Sequence, residues 1–209
     1  RLIKYTYKDV QDEVAKLAGG LASLNVKKGD TVVVYMPMIP HAVFSMLACA
    51  RIGAIHSVVF GGFAPRELAM RIDDTKPKAL LTATSGIEVD RIIPYKPMVD
   101  EAIEIADHKP EHVIIHNRKL GAKNPKKSLD IDYDELVEKA EAVGYESLAS
   151  DHPLYILHTS GTTGSPKGVV RDTGGYATAL KYSMDAVYNI EPGETFWAAS
   201  DVGWVVGHS

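Results

Sequence analysis

Residues 159–168 read TSGTTGSPKG, and the apolar run YIL at 155–157 lies just before them. Three glycines allow the backbone of this segment to adopt positive φ angles and to approach a ligand closely. Its hydroxyl side chains and N–H groups can surround an anion, and Lys167 adds a positive charge. The segment is therefore predicted to be a loop that binds phosphate groups.

This loop differs from the P-loop of the common nucleotidases, which ends in Gly-Lys-Ser/Thr and runs into a helix. Here Pro166 precedes Lys167, and the residues that follow, GVV at 168–170, are typical of a strand. The sequence therefore predicts a strand–turn–strand hairpin in which Lys167 enters the second strand. An ordinary surface turn is the alternative, because Gly, Thr, Ser and Pro are common in turns. The many hydroxyl groups beside a single lysine favour phosphate binding.

The segment at 159–168 resembles the signature loop of the adenylate-forming superfamily, which includes acyl-CoA synthetases, luciferases and the adenylation domains of peptide synthetases. Two flanking segments, RDTGGY at 171–176 and WAASDVGWVVGHS at 197–209, look like the short-chain branch, the acetyl- and propionyl-CoA synthetases. The likeness begins at YTY, residues 5–7, and covers nearly the whole chain. It implies that residues 1–209 are part of the large N-terminal AMP-binding (adenylation) domain. The rest of that domain and a C-terminal lid domain are expected outside the chain.

The resemblance implies an acid–thiol ligase that activates propionate or acetate with ATP, releases pyrophosphate and passes the acyl group from the acyl adenylate to CoA. The implied ligands are ATP, Mg²⁺, CoA and a small carboxylic acid. We expect the isolated 209 residues to show little or no turnover, because the family's ribose site and adenylation lysine come later in the chain. Two alternatives stay open: a truncated, nonenzymatic module that binds nucleotide or CoA, and another acyl-adenylating ligase.

The resemblance also assigns roles to residues of the loop, which in the family holds the ATP phosphates together with Mg²⁺. Lys167, Thr162 and Thr163 are the predicted catalytic residues, because they can neutralise the charge that develops when a carboxylate attacks ATP. None of the residues is predicted to be a dedicated metal ligand. The full predicted phosphate-binding set is Thr159, Ser160, Gly161, Thr162, Thr163, Gly164 and Lys167.

Trp204, Val205 and Val206 are the predicted acyl pocket. From composition alone, a tryptophan among β-branched residues is more typical of a hydrophobic core. The resemblance instead implies that Trp204 and Val205 face a small alkyl chain. Acetyl-CoA synthetases usually carry Thr at the position of Val206, so the valine favours a propionyl-type enzyme. Both acids remain open, because one methylene contributes only about 1–3 kcal/mol of discrimination.

Arg91 is the predicted CoA-binding residue. The segment GIEVDR at 86–91 resembles the one that meets the 3′-phosphate of CoA in acetyl-CoA synthetases. That family segment often carries two arginines, and Glu88 stands at the first position here, so only Arg91 can take the role. A surface arginine without a ligand is the alternative. His158 and His208 are interpreted as hydrogen-bonded structural residues rather than catalytic ones.

Composition narrows the classes of partner. The formal net charge of −4, from 23 basic and 27 acidic residues, provides no field that would attract nucleic acid. No stretch approaches the ~20 apolar residues of a membrane span, so no membrane partner is expected. The single cysteine, Cys49, lies among apolar neighbours and suits a reducing compartment. We expect a cytoplasmic location, or the mitochondrial matrix in a eukaryote, and a homo-oligomer is left open.

Helical and strand-like patterns alternate along the chain and predict an α/β fold: a doubly wound, mostly parallel sheet with flanking helices. The predicted elements include a helix at 8–24, a strand at 31–36, a helix at 41–51 with Val43, Leu47 and Ala50 inward, a strand at 154–158, a helix at 173–187 and a final strand at 196–199 that delivers residues 201–208 at its carboxyl end.

Overall fold

The computed structural model of the chain describes residues 3–120, 126–159 and 166–208. No helix in these ranges is both long enough and apolar enough to cross a bilayer. The α-helices are α1 (Tyr7–Ser23), α2 (Pro40–Arg51), α3 (Pro65–Thr75), α4 (Tyr95–Ile105), α5 (Tyr133–Lys139), α6 (Thr173–Tyr182) and α7 (Val205–His208). The strands are β1 (Thr31–Tyr35), β2 (Ile55–Val58), β3 (Ala79–Ala83), β4 (Gly86–Glu88), β5 (Arg91–Ile93), β6 (His112–His116), β7 (Asp130–Asp132), β8 (Pro153–Thr159) and β9 (Lys167–Asp172).

Seven strands form one sheet in the order β7-β6-β3-β1-β2-β8-β9. Every neighbouring pair is parallel except β8 and β9, which are antiparallel. The remaining two strands, β4 and β5, form a separate antiparallel hairpin. The predicted α/β fold with a mostly parallel sheet is confirmed, and the carboxyl ends of the parallel strands share one edge, where open α/β sheets bind ligands.

The core lies on both faces of the sheet, because successive residues of a strand point to opposite sides. Val32 and Val34 of β1 belong to a cluster with α1, α2 and α5. Val33 and Tyr35 belong to a second cluster with α3 and α4. All four side chains are buried, which explains why β1 reads as an unbroken apolar run rather than as an alternating pattern.

The predicted inward face of α2 is wrong. Val43 and Leu47 are 40% and 43% exposed, and the buried side chains of this helix are instead Ala42, Phe44, Ser45, Ala48 and Cys49. Because α2 packs against α1, β1 and β2, the small residues on this face let the helix approach its neighbours closely. Phe44 is the one large side chain of this buried face, and Val43 and Leu47 point away from it.

The final strand predicted at 196–199 is also wrong, because these residues form no strand in the structure. Trp197 is 83% exposed, and Phe196 packs locally on Tyr188 with ring centroids 5.2 Å apart. The helix predicted at 173–187 is observed as α6 followed by a π-helical turn at Ser183–Val187. Residues 201–208 must therefore be held in place by side-chain contacts instead of by a preceding strand.

Candidate active site

The predicted hairpin is confirmed, since β8 and β9 pair in antiparallel fashion. Thr159 and Lys167 are partners at the end of this ladder, and both are exposed. The structure therefore brings together the first and the last residue of the predicted phosphate-binding set. The other predicted phosphate ligands, Ser160, Gly161, Thr162, Thr163 and Gly164, lie outside the described residues.

His158 connects β8 to α3. Its Nε2 atom is 2.7 Å from the Asp74 Oδ2 atom, and its side chain is buried. A Cβ atom at Gly168 would come within 3.3 Å of this imidazole and 2.8 Å of Ile156, so the strand opposite needs a glycine there. These contacts agree with a structural rather than a catalytic role for His158.

His208 anchors the segment at 201–208 to the sheet. Its Nδ1 atom lies 2.9 Å from the Val202 carbonyl and its Nε2 atom 3.2 Å from the His56 Nε2 atom on β2. The Tyr176 hydroxyl donates to the His208 carbonyl at 3.2 Å, and the ring of Tyr155 on β8 is 4.3 Å from the imidazole. His208 is thus hydrogen-bonded as predicted, and its contacts tie this segment to β2, β8 and α6.

Trp204 rests on two phenylalanines at the carboxyl end of β2. Its ring centroid is 5.3 Å from that of Phe60 and 6.1 Å from that of Phe63. Trp204 is nevertheless 45% exposed, and Val205 and Val206 are 53% and 67% exposed. The three predicted acyl-pocket residues are therefore open to a ligand rather than part of the core. Because β2 and β8 are parallel neighbours, this apolar surface lies on the same sheet edge as the end of β8.

The hairpin of β4 and β5 presents Arg91 to solvent. The Arg91 Nη2 atom is 3.9 Å from the Glu88 Oε2 atom, and the two side chains are 80% and 66% exposed. Such an exposed pair contributes little to stability, so Arg91 is available to an anion. Glu88, which stands where the resembled family often has a second arginine, is the residue that would compete for it.

A cavity of about 390 Å³ separates the β4–β5 hairpin from the segment at 201–208. Tyr95 forms part of its wall and leaves no room for side chains at two neighbouring glycines: a Cβ atom at Gly61 or at Gly86 would come within 2.1 Å or 2.7 Å of it. Asp201 also lines this cavity. Burial raises the pKa of its carboxyl group, and the hydrogen bond that the Gly203 N–H donates to Asp201 Oδ1 at 2.7 Å acts in the opposite direction. The lining residues include Pro37, Met38, Phe60, Gly62, Ile87, Glu88, Met98 and Asp201.

The His56–His208 contact predicts a pH-dependent stability. Because His208 Nδ1 faces a carbonyl, its Nε2 accepts from the His56 Nε2–H when both rings are neutral. Burial, and secondarily His208, lower the pKa of His56 to about 3, and burial also lowers the pKa of His208. Below about pH 6.5 these imidazoles bind protons more readily in the unfolded chain than in the folded chain. Their contribution to the free energy of unfolding is therefore complete above this pH and falls as the pH drops.

We therefore expect the free energy of unfolding to decrease by about 2 kcal/mol between pH 7 and pH 5 on account of His56 alone. Urea titrations at the two pH values measure this loss. The variant His56→Gln retains an amide donor and should lose about that much less over the same interval. Equal pH-dependent losses in the variant and the wild type would contradict the assignment. The comparison with the variant is needed because Asp201, whose pKa burial raises, contributes with the opposite sign in both proteins.

Sequence reasoning missed Phe60, Phe63 and His56, the residues that position the segment at 201–208. The two phenylalanines flank the glycine pair at 61–62 just after a strand, and that placement at a carboxyl end was the available signal. His56 carried no local signal, since it is a single histidine in a short strand and its partner lies 152 positions away.

Comparison with known proteins relates this arrangement to a family. Residues 2–209 match the model of a family described as AMP-binding enzyme. The human acyl-CoA synthetase short-chain family member 3, mitochondrial, is 56% identical over 206 residues, which are 98% of this chain and 30% of that protein. The propionate–CoA ligase of Escherichia coli strain K12 is 49% identical over 207 residues, 98% of this chain and 33% of that protein. The chain thus spans about a third of the length of these relatives.

A solved structure shows the same similarity in three dimensions. The acetoacetyl-CoA synthetase of Streptomyces lividans matches with a TM-score of 0.90 and 28% sequence identity. The match covers 99% of this chain and 31% of that one. The arrangement of strands and helices described above is therefore similar to one part of a larger solved enzyme.

Proposed function

The chain belongs to the AMP-binding enzyme family, and from this we propose that it forms part of the N-terminal adenylation domain of a short-chain acyl-CoA synthetase. The enzyme activates propionate or acetate with ATP, releases pyrophosphate, and transfers the acyl group from the adenylate to CoA. The observation that carries the proposal is the placement of an exposed apolar surface, Trp204 to Val206, on the same sheet edge as the Thr159–Lys167 pair.

The first step needs two anions to be held together, because the carboxylate must attack the α-phosphorus of ATP. Lys167 pairs with Thr159 at the end of the hairpin where the loop begins. Its ammonium group can there bind the phosphates and offset the charge of the leaving pyrophosphate. Thr162 and Thr163 are proposed to donate hydrogen bonds from the loop. An ionised carboxylate is already the nucleophile, so the step requires no general base.

Mg²⁺ would supply additional positive charge to the phosphates. This ion prefers oxygen ligands and usually binds through substrate phosphates and few protein groups. The exposed Thr159 at the end of β8 fits that preference, and we propose that it and the loop hydroxyls stand beside the ion. CoA is the cosubstrate that the relatives' names contain, and ATP is the nucleotide that we propose for this member of the AMP-binding enzyme family.

The acyl chain is proposed to lie against Trp204, Val205 and Val206. The indole is held in one orientation by Phe60 and Phe63, so it can act as a rigid wall for a short alkyl group. Val206 offers a methyl group where acetyl-CoA synthetases usually offer a hydroxyl, and the extra apolar contact favours propionate over acetate. This reading agrees with the name of the E. coli relative, propionate–CoA ligase.

CoA is proposed to approach through the cavity between the β4–β5 hairpin and Asp201. Arg91, at the outer end, would bind a phosphate of CoA, with Glu88 at 3.9 Å weakening that contact. The cavity reaches Phe60, on which Trp204 packs, so a thiol-bearing arm entering here would arrive beside the acyl surface. Cys49 is the single cysteine and can form no internal disulfide, which agrees with the proposed reducing compartment, the cytoplasm or the mitochondrial matrix.

The function is tested by acid-dependent formation of AMP in the intact protein that contains this chain. With ATP and CoA present, acetate, propionate and butyrate are compared. We expect propionate to have the highest kcat/KM, with acetate lower by about 10-fold or more, the discrimination that one methylene provides. The variant Val206→Thr is expected to narrow the ratio of propionate to acetate. A protein that forms no AMP with any of the three acids would contradict the proposal.

A further inference from the structure

Three side chains that bind metal ions well meet at a place separate from the proposed active site. His41 lies in the first turn of α2, His116 is the last residue of β6, and Asp134 lies in the first turn of α5. One nitrogen of each imidazole and one carboxylate oxygen all lie within 4.8 Å of one another. The His116 Nδ1 atom is 3.1 Å from the Asp134 Oδ1 atom, and the two imidazole rings stack with centroids 3.6 Å apart.

The fold brings these residues together without help from a mobile segment. β7 runs parallel to β6 and leads directly into α5, so Asp134 and His116 emerge at the same edge of the sheet. The ring of Tyr133 packs edge-on against both imidazoles, at 5.1 Å from His41 and 5.7 Å from His116. This ring is buried, so it supports the two histidines from the side of the core.

A second observation concerns the Tyr133 hydroxyl. It is buried and has no hydrogen-bond partner among the residues that the structure describes, which is unusual for a buried polar group. Tyr133, His41 and Asp134 also line one side of a cavity of about 370 Å³, together with Glu13. The cluster therefore borders a cavity, and the tyrosine whose ring packs on both imidazoles carries a buried hydroxyl that the described residues leave unpaired.

We propose that His41, His116 and Asp134 form a binding site for a divalent transition-metal ion of the zinc class. Two neutral imidazoles and one carboxylate are a donor set that suits Zn²⁺, Ni²⁺ or Cu²⁺ and does not suit Mg²⁺ or Ca²⁺, which prefer oxygen ligands alone. Zinc ligands lie at about 2.0–2.2 Å from the ion, so the three donor atoms, which lie within 4.8 Å of one another, would close around it and the stacked imidazoles would tilt toward it.

The site connects three elements that are distant in sequence: α2, the end of β6 and the start of α5. An ion that binds the folded chain and not the unfolded one stabilises the fold by mass action. We assign it a structural role, because the Thr159–Lys167 pair and the Trp204 surface involve other strands, and no residue of the cluster belongs to either. The ion would hold the α1–α2–α5 layer against the sheet.

The test uses the intact protein without a polyhistidine tag, first depleted of metal by a chelator. ZnCl₂ is titrated calorimetrically, and CoCl₂ is added separately because Co²⁺ in a site of this kind shows visible absorption bands. We expect one ion to bind in wild type that is lost or weakened by at least about 100-fold in His116→Gln. Asp134→Asn should weaken the same ion and leave the fold intact, because the Asp134 side chain is 60% exposed.

The matched control is His112→Gln, which removes an imidazole from the opposite end of the same strand, β6. It should bind the ion as wild type does and retain the metal-induced increase in melting temperature. Binding that is equal in wild type, His116→Gln and Asp134→Asn would overturn the proposal, as would wild-type protein that binds no Zn²⁺ or Co²⁺. If His116→Gln fails to fold, the comparison of Asp134→Asn with His112→Gln decides the question.

Discussion

Lys167→Ala in the intact protein is expected to lower kcat/KM for ATP by about 10²–10³-fold, the usual loss when a preorganised group that stabilises developing charge is removed. The lysine side chain is exposed and pairs with Thr159 at the loop end of the β8–β9 hairpin. Its removal therefore leaves no cavity in the core. The melting temperature should therefore stay close to that of wild type. Initial rates of pyrophosphate release, measured at varied ATP and saturating propionate, give the loss directly.

The matched control for this variant is Lys181→Ala. Lys181 is an exposed lysine in the last turn of α6, and its removal changes the net charge by the same amount. Full activity in Lys181→Ala and a large loss in Lys167→Ala would assign the effect to position rather than to charge. If Lys167→Ala kept wild-type kcat/KM for ATP, the phosphate-binding role of this loop would have to be abandoned.

Gly203→Ala is expected to damage both stability and acid binding. A Cβ atom at this position would come within 2.7 Å of the Phe60 Cα atom and 2.9 Å of its backbone nitrogen. These backbone atoms cannot rotate away, so the segment must shift, at a cost of about 1–3 kcal/mol. The shift would move Trp204 off the ring of Phe60, and we expect KM for propionate to rise by about 10-fold or more.

Gly144→Ala provides the control, because a Cβ atom there would meet nothing within 4 Å. Urea unfolding of the two variants and steady-state kinetics with varied propionate separate the effects. Gly144→Ala should match wild type in both measurements. A Gly203→Ala protein with unchanged stability and unchanged KM for propionate would show that Phe60 and the segment at 201–208 are not in close contact.

Most of the parallel strands could be predicted because they are short apolar runs bounded by turn residues. The exception is the polar strand β7. The strand predicted at 31–36 is observed at Thr31–Tyr35, and the helix predicted at 8–24 is observed at Tyr7–Ser23. The helix begins where the capping box of Thr6 and Asp9 satisfies free backbone N–H groups. In both cases the local pattern and the tertiary packing favour the same structure.

The prediction failed where packing opposed the local pattern. Residues 196–199 are apolar enough for a strand, but a strand needs a hydrogen-bonding partner, and none of the described strands pairs with them. On α2 the spacing of Val43 and Leu47 suggested an inward face, yet the buried face of this helix carries Phe44 and the small residues around it. The short strands β4, β5 and β7 have three residues each, too few to produce a recognisable period.

For the candidate site, the pairing of Thr159 with Lys167 followed from the hairpin, since antiparallel register is set by residues close in sequence. The contact of His56 with His208 and the packing of Trp204 on Phe60 could not be foreseen in this way. Each joins residues more than a hundred positions apart, so no local pattern contains the information.

The position of β9 at the edge of the sheet affects how readily copies of this chain could associate in solution. β9 is the last strand in the order of the sheet, and all six of its residues are exposed. Another copy could add a strand to such an open edge and begin edge-to-edge aggregation. The sequence of the strand is KGVVRD, so charged residues lie on both sides of the two exposed valines in its middle. Charged residues on an exposed edge oppose such pairing, so Lys167 would act against self-association of this chain in addition to its proposed role in phosphate binding.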